Sequence, residues 1–343
     1  MPIQVPEALV ASLVEWHGED GRRWADGLPA LAAASADRWG LRLDGPPAHG
    51  VVGLVLPVRR ADGSRAVLKL QRVDAETRGE PLALRAWNGR GAVRLLEHDP
   101  ATGSMLLERL DPARSLLALP DDRAATRVLA DLLAELTEHQ APPGLRTLAE
   151  IADGMLAEVP AVRERLAGED DRRLLADLAA ALREVRPEPG DRLLHWDLHY
   201  GNVLAPSAPD LRMPWLAIDP KPLAGDPCFE LLPALGNRWS DLTATGDLPR
   251  ALRLRFDLLT DRLALDRPRA VRWTLARVLQ NVLWDIADGA SVIDGTHRTI
   301  AGTVGKPGRG GDHPARTVKR SGVPGRVCAA AARSAEGTTP TTG

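Results

Sequence analysis

His195-Trp196-Asp197-Leu198-His199-Tyr200-Gly201-Asn202 runs straight into the apolar stretch Val203-Leu204-Ala205, and Trp215-Leu216-Ala217-Ile218-Asp219-Pro220 begins ten residues later. Each apolar stretch reads as a short strand, and the polar Pro206–Pro214 segment reads as the loop between them. Joined this way, the two strands form an antiparallel hairpin. Asn202 then lies just before the first strand and Asp219 just after the second, both at its open end. Asp197, five residues ahead of Asn202, enters the same end. A base carboxylate, an amide oxygen and a metal-binding carboxylate at one point are what phosphoryl transfer from a magnesium nucleotide requires. Asp197 is the candidate base, and Asn202 and Asp219 are the candidate Mg2+ ligands.

The spacing His195-X-Asp197-X-His199 also resembles a metal-hydrolase triplet, because alternate residues of an extended strand face one way. The other six of the eight histidines form no second cluster, which weighs against it. The alternative has His195 buttressing the loop and His199 lining the site, within reach of a substrate.

Lys69 stands among apolar residues in Ala66-Val67-Leu68-Lys69-Leu70. A buried ammonium costs several kcal/mol unless it is paired. Phosphate oxygens and a carboxylate would pair it, with Glu80 the best candidate and Glu76 the fallback. Gly50-Val51-Val52-Gly53 opens a strand where backbone amides could approach phosphates. Glu108-Arg109-Leu110 falls where an adenine would meet backbone, so Glu108 and Leu110 are candidate nucleotide contacts. Asp226 and Glu230 could hold the catalytic loop or a cationic substrate. Asp285 and Asp288 could do the latter, and Trp196 and Trp239 could stack on a substrate ring.

The elements that must carry these residues change character along the chain. Residues 7–40 read as helix, with Trp16, Trp24 and Trp39 on apolar faces, and Gly45-Pro46-Pro47 breaks the pattern. Val51–Val58 and Arg65–Arg72 read as strands joined at Asp62-Gly63. Glu80–Trp87 reads as a helix, followed by strands Ala92–Glu97 and Ser104–Arg109. From about residue 112 the chain turns helical. Leu129, Leu132, Leu133 and Leu136 mark a helix over Asp121–Gln140, and helices are expected over 146–158, 160–186, 230–239, 248–265 and 267–288. This gives an α+β chain with a β-rich N-lobe at 1–111 and a mostly α-helical C-lobe at 112–302. Residues 303–343 are rich in Gly, Pro, Arg, Ser and Thr without apolar periodicity. They read as a disordered tail or as the product of a reading-frame shift.

Bulk properties narrow the function classes. The net charge is −2, but residues 303–343 carry +5, leaving −7 on residues 1–302. An acidic body argues against a nucleic-acid partner and suits a cationic small molecule. No apolar run reaches the roughly 18 residues that suggest a membrane span, and no signal peptide is evident. Cys228 and Cys328 are too few and too distant for a disulfide framework, so a cytoplasmic location is expected. Basic charge is almost all arginine, with lysine only at 69, 221, 306 and 319.

Taken with Leu84–Leu96, Leu106–Leu110, Ala217–Lys221, Gly225-Asp226-Pro227 and Gln280–Asp285, these stretches resemble the aminoglycoside phosphotransferase family. The likeness points to its branch of streptomycin 6-kinases and hydroxyurea resistance kinases and covers roughly residues 45–300. The resemblance implies a protein-kinase-like two-lobed fold with ATP in the cleft. It implies Lys69 on the phosphates, Asp197 as base, and Asn202 and Asp219 on Mg2+. It implies a hydroxyl of an aminocyclitol, such as the 6-hydroxyl of a streptomycin-like aminoglycoside, as acceptor, with hydroxyurea or another small hydroxylated molecule as the alternative. A monomer or weak dimer is expected. Two features depart from the family pattern: the bulky Trp196 beside the base, and the segment after residue 302, where a helix would be expected.

Overall fold

Leu54, Leu56, Val58, Ala66, Leu68 and Leu70 are all buried and make the hairpin over residues 53–71 the centre of the N-terminal region. The computed structural model describes residues 3–208 and 212–305. Its first strands are β1 (Arg42–Leu43), β2 (Ala48–His49), β3 (Gly53–Arg59), β4 (Arg65–Gln71), β5 (Leu95–His98) and β6 (Met105–Glu108). They form an antiparallel sheet in the order β1-β3-β4-β6-β5, with β2 also on β3. The β3–β4 register pairs Val55 with Lys69 and Gly53 with Gln71.

One face of this sheet is covered by α1 (Glu7–Trp39). Its buried residues Gly21, Ala25, Leu28, Ala32 and Ser35 follow the helical period. The expected helix over 7–40 is interrupted at Gly18, where φ is 57°. Beyond the break Gly21 packs so closely that a Cβ would lie 2.0 Å from the Leu13 carbonyl oxygen. Trp24 and Trp39 pack on this core, but Trp16, two residues before the break at Gly18, is 48% exposed, contrary to expectation. The other face meets α2 (Glu80–Trp87), whose Ala83, Leu84 and Trp87 join the larger core of the helical region with Met105 and Leu107. Trp87 donates its Nε1–H to the Leu136 carbonyl at 2.6 Å.

Past β6 the chain leaves the sheet along β7 (Leu110–Ser115), a strand not expected from sequence. The helical region follows with α3 (Asp122–Leu136), α4 (Leu148–Arg165) and α5 (Glu169–Val185). Helix α4 runs through Pro160, where a break was expected. Leu148, Ala152, Met155, Val159 and Val162 form one buried stripe across the proline, and that packing outweighs the roughly 3 kcal/mol penalty of an internal proline. Then come β8 (Arg192–Leu194), β9 (Val203–Pro206), β10 (Leu216–Ala217) and β11 (Leu223–Gly225).

The expected 230–239 helix is instead a 3-10 turn at Pro227–Glu230, α6 (Leu232–Gly236) and α7 (Trp239–Thr243). Pro233 lies near the start of α6, and Arg238 at φ 54° separates the two helices. The chain continues with α8 (Leu248–Arg262), α9 (Arg267–Ala287) and α10 (Gly295–Val304). The last helix was not anticipated. Its Ile300, Ala301, Thr303 and Val304 are buried, so regular structure enters the stretch read as tail by two residues. Residues 306–343, which carry the rest of that reading, lie outside the described residues. No helix among the described residues is long and apolar enough to cross a membrane.

Candidate active site

The hairpin expected around the chemistry exists. Strands β9 and β10 pair antiparallel, with Leu204 opposite Leu216 and Val203 opposite Ala217, and β7 adds on the far side of β9. Asn202 closes a 3-10 turn ahead of β9, and Asp219 follows β10 with only Ile218 between. The two approach loops are laced together. His195 Nε2 donates to the Ile218 carbonyl at 3.0 Å. The Lys221 amide donates to the His195 carbonyl and the Ile218 amide to the Asn202 carbonyl, both at 2.9 Å. Trp196 at φ 61° and Asp219 at φ 60° turn the chain sharply on either side of this lacing, a backbone region that carries a steric penalty for residues other than glycine.

His195 is wholly buried. Its Nδ1 accepts the Asp197 amide at 3.3 Å while Nε2 donates. Both ring nitrogens are therefore engaged, and neither can ligate a metal. Burial pushes this imidazole down to about 3, so it is neutral at physiological pH. The metal-hydrolase reading fails on this geometry, and the described residues hold no cluster of three or more His, Cys, Asp or Glu side chains suited to a metal. His199 is partly exposed beside Asp197. Its Nδ1 accepts the Gly201 amide at 3.0 Å, capping the turn.

Asp197 is nearly buried, and burial pushes its carboxyl up from the ordinary range against the opposing pull of Lys221. Lys221 Nζ lies 3.0 Å from Asp197 Oδ2 and 3.8 Å from Glu76 Oε2. A carboxylate with a raised pKa is a better proton acceptor. Asn202 donates its Nδ2 to the Asp197 carbonyl at 2.7 Å, which leaves its amide oxygen as the atom for a cation. The Asp219 side chain is 46% accessible. Burial opposes its ionisation, but the Lys69 ammonium outweighs burial and holds it down at about 2. It is thus charged at every physiological pH. One amide oxygen and one accessible carboxylate suit Mg2+, which keeps few protein ligands and fills the rest with water and phosphate oxygens.

Lys69 and Glu80 meet as expected, at 2.8 Å from Nζ to each carboxylate oxygen. Gln71, which sequence reasoning missed, donates Nε2 to Glu80 Oε2 at 2.5 Å. Lys69 also ion-pairs with Asp219. Burial would discharge Lys69, but the carboxylates of Asp219 and Glu80 overcome it and raise its pKa. Glu76, the fallback partner, instead neighbours Lys221. Gly50 to Gly53 forms the turn between β2 and β3, with the Gly50 amide on the Gly53 carbonyl at 3.0 Å. Gly53 approaches the Leu70 carbonyl closely, whereas the space around Gly50 is open.

Other expected contacts resolve differently. Glu108 receives a bidentate pair from Arg212 at 2.9 and 2.8 Å, so its side chain is committed to the fold. Leu110 is buried in the core opposite Pro206. Asp226 does not face a substrate: it is buried, caps Cys228 and receives Arg269 Nε at 2.6 Å. Glu230, fully buried, accepts the Trp196 amide at 3.3 Å and holds the loop that carries Asp197. Asp285 on α9 lies 3.3 Å from Nδ1 of His297 on α10, and Asp288 caps the end of α9. Trp196 is 3% exposed. Its ring lies 4.6 Å from the Arg146 guanidinium and 5.5 Å from that of Arg277, so it is packing and not a stacking platform for substrate. Trp239 packs on the helical core.

Residues 38–289 match the model of the aminoglycoside/hydroxyurea antibiotic resistance kinase family. The chain belongs to this family. It is 55% identical over 299 residues to a streptomycin 6-kinase of Streptomyces glaucescens, covering 87% of this chain and 96% of that one. It is 56% identical over 289 residues to a hydroxyurea phosphotransferase of Kitasatospora aureofaciens, covering 84% and 82%. Among solved structures, a macrolide 2'-phosphotransferase of Brachybacterium faecium aligns with a TM-score of 0.50 at 19% identity, over 81% of this chain and 98% of that one. That likeness bears on the fold alone, which is the protein-kinase-like α+β architecture. This kinase family member is therefore a phosphotransferase acting on a hydroxyl group.

Lys221 is the residue of this family member that sequence reasoning left without a role. A signal was available. Of the four lysines in an arginine-dominated chain, the two among the described residues, Lys69 and Lys221, both ion-pair with the candidate site aspartates, Asp219 and Asp197.

Proposed function

We propose that this kinase transfers the γ-phosphoryl group of ATP to the 6-hydroxyl of streptomycin, inactivating the drug in the cytoplasm. The observation that carries the reading is the convergence of Asp197, Asn202 and Asp219 on two loops locked by the His195–Ile218, Lys221–His195 and Ile218–Asn202 hydrogen bonds. Asp197 would take the proton of the attacking hydroxyl. Lys69, fixed by Glu80, which Gln71 in turn holds, would hold the nucleotide phosphates, with Gly50 to Gly53 overhanging them and the backbone near Glu108 and Leu110 meeting the base. Asn202 and Asp219 would hold Mg2+, which when bound neutralises charge on the phosphates. In this reading residues 1–111 are the nucleotide lobe and 112–302 the acceptor lobe. The chain works as a monomer or weak dimer.

The acceptor assignment rests on the streptomycin 6-kinase relative, and the acidic body suits a substrate bearing guanidinium groups. A phosphate added to the drug brings bulk and negative charge. The test is incubation of purified protein with ATP and Mg2+ and, separately, streptomycin, kanamycin and hydroxyurea, followed by mass spectrometry. Gain of one phosphoryl group by streptomycin alone is expected. Modification of hydroxyurea and not streptomycin would transfer the assignment to the other relative's substrate.

A further inference from the structure

Lys221 sits between Pro220 and Pro222, both buried, and its amide is tied to the His195 carbonyl at 2.9 Å. Its backbone is therefore fixed while its four-carbon stem carries the ammonium to Asp197, with the side chain 24% accessible. The ammonium stands 3.0 Å from Asp197 Oδ2 and 3.8 Å from Glu76. The other ammonium of the cleft, Lys69, is already held by both oxygens of Glu80 and by Asp219.

A lysine on a general base poses a chemical problem. Its charge stabilises the ionised carboxylate and so makes proton abstraction harder, unless the charge can move as the reaction proceeds. The attacking hydroxyl must lie within hydrogen-bond reach of Asp197 and about 3–3.5 Å from the γ-phosphorus. A cation beside Asp197 is then one side-chain rotation from the phosphoryl oxygens.

We infer that Lys221 is a catalytic residue that leaves Asp197 for a non-bridging oxygen of the transferring phosphoryl group. This rests on the phosphotransferase reading above and adds a residue to it. In the step, the acceptor O–H bond breaks and its proton passes to Asp197. The acceptor oxygen bonds phosphorus, and the bond from phosphorus to the bridging oxygen breaks with its electron pair leaving on ADP. Asp197 becomes neutral and releases Lys221 just as charge redistributes over the phosphoryl oxygens, where a fixed cation contributes most.

Two variants separate this from a purely positioning role. Lys221→Met removes charge and donor, and Lys221→Gln keeps a donor for Asp197 without the charge. Both are expected to lower kcat for streptomycin phosphorylation by about 100- to 1000-fold. Both should bind Mg·ADP within about twofold of wild type and lose about tenfold in preference for Mg·ATP over Mg·ADP. Recovery of kcat in Lys221→Gln to within about threefold, with the ATP preference intact, would show that Lys221 only positions Asp197. Should the variants not fold, wild-type protein crystallised with Mg2+ and a non-hydrolysable ATP analogue decides the matter. Nζ within about 3.2 Å of a γ-phosphate oxygen is expected, and Nζ remaining on Asp197 alone overturns the inference. Wild-type protein that binds neither nucleotide would overturn the phosphotransferase reading as well.

Discussion

Lys69 Nζ lies 2.8 Å from both carboxylate oxygens of Glu80, and both side chains are almost wholly buried. Two ions removed from water this way stabilise the fold only as a pair. Lys69→Met is expected to destabilise by about 3–5 kcal/mol, because Glu80 is left buried without its counter-charge. Adding Glu80→Leu should restore most of that stability, since an apolar pair of similar size needs no desolvation, yet phosphoryl transfer should stay absent. Urea unfolding of the single and double variants checks the stability, and a streptomycin assay checks the activity. A double variant no more stable than the single one would refute the account.

Asp197→Asn retains an amide oxygen for Lys221 and should leave the loop in place. Removing the proton acceptor is expected to lower kcat by about 10²- to 10⁴-fold with little change in nucleotide affinity. Steady-state kinetics with a nucleotide-binding titration measures both. Retention of most activity would end the base assignment.

Asp219 adopts φ 60°, so asparagine, which tolerates that backbone, is the appropriate replacement. Asp219→Asn should raise the Mg2+ concentration needed for half-maximal rate by on the order of 100-fold. Chelation with EDTA should abolish transfer by the wild type, and Mg2+ should restore it. An unchanged Mg2+ requirement in the variant would remove Asp219 from the metal.

His195 supplies a pH dependence of stability. Its folded pKa is about 3 against an ordinary 6.5, so between those values the unfolded chain binds a proton that the native state does not. Stability from this group is complete above about pH 6.5 and falls as pH drops through the window, by about 2 kcal/mol between pH 7 and 5. His195→Asn should lower stability at pH 7 and flatten the dependence. Denaturant curves of both proteins at the two pH values give the slope difference, which would be absent if His195 titrated normally.

The parts of the site legible in the sequence are those whose partners are near in the chain or chemically unusual. The β3–β4 hairpin announced itself by two apolar stretches joined at the Asp62-Gly63 turn, and Lys69 by its apolar neighbours. Asn202 and Asp219 followed from a hairpin with recognisable ends. Asp226 and Glu230 could not be placed, because an acid's role depends on what faces it. Arg269, which takes Asp226, is 43 residues away, and the Trp196 amide that Glu230 accepts is displayed only by a backbone turn. The continuation of α4 past residue 158 was missed for a related reason: Pro160 is a local signal, whereas the stripe that overrides it acts through tertiary packing. Gln71 was missed because a glutamine at the end of a strand looks like an ordinary edge residue.

The preference for arginine elsewhere in this chain gives Lys69 and Lys221 a further meaning. A guanidinium is broad, planar and fork-shaped, whereas an ammonium is a compact point charge with three rotatable donors. In the proposed reaction both positions follow charge among several oxygens at different angles, a task that a rigid fork performs poorly. Exchanging either lysine for the cation this protein uses almost everywhere else would therefore preserve its formal charge and still impair the enzyme.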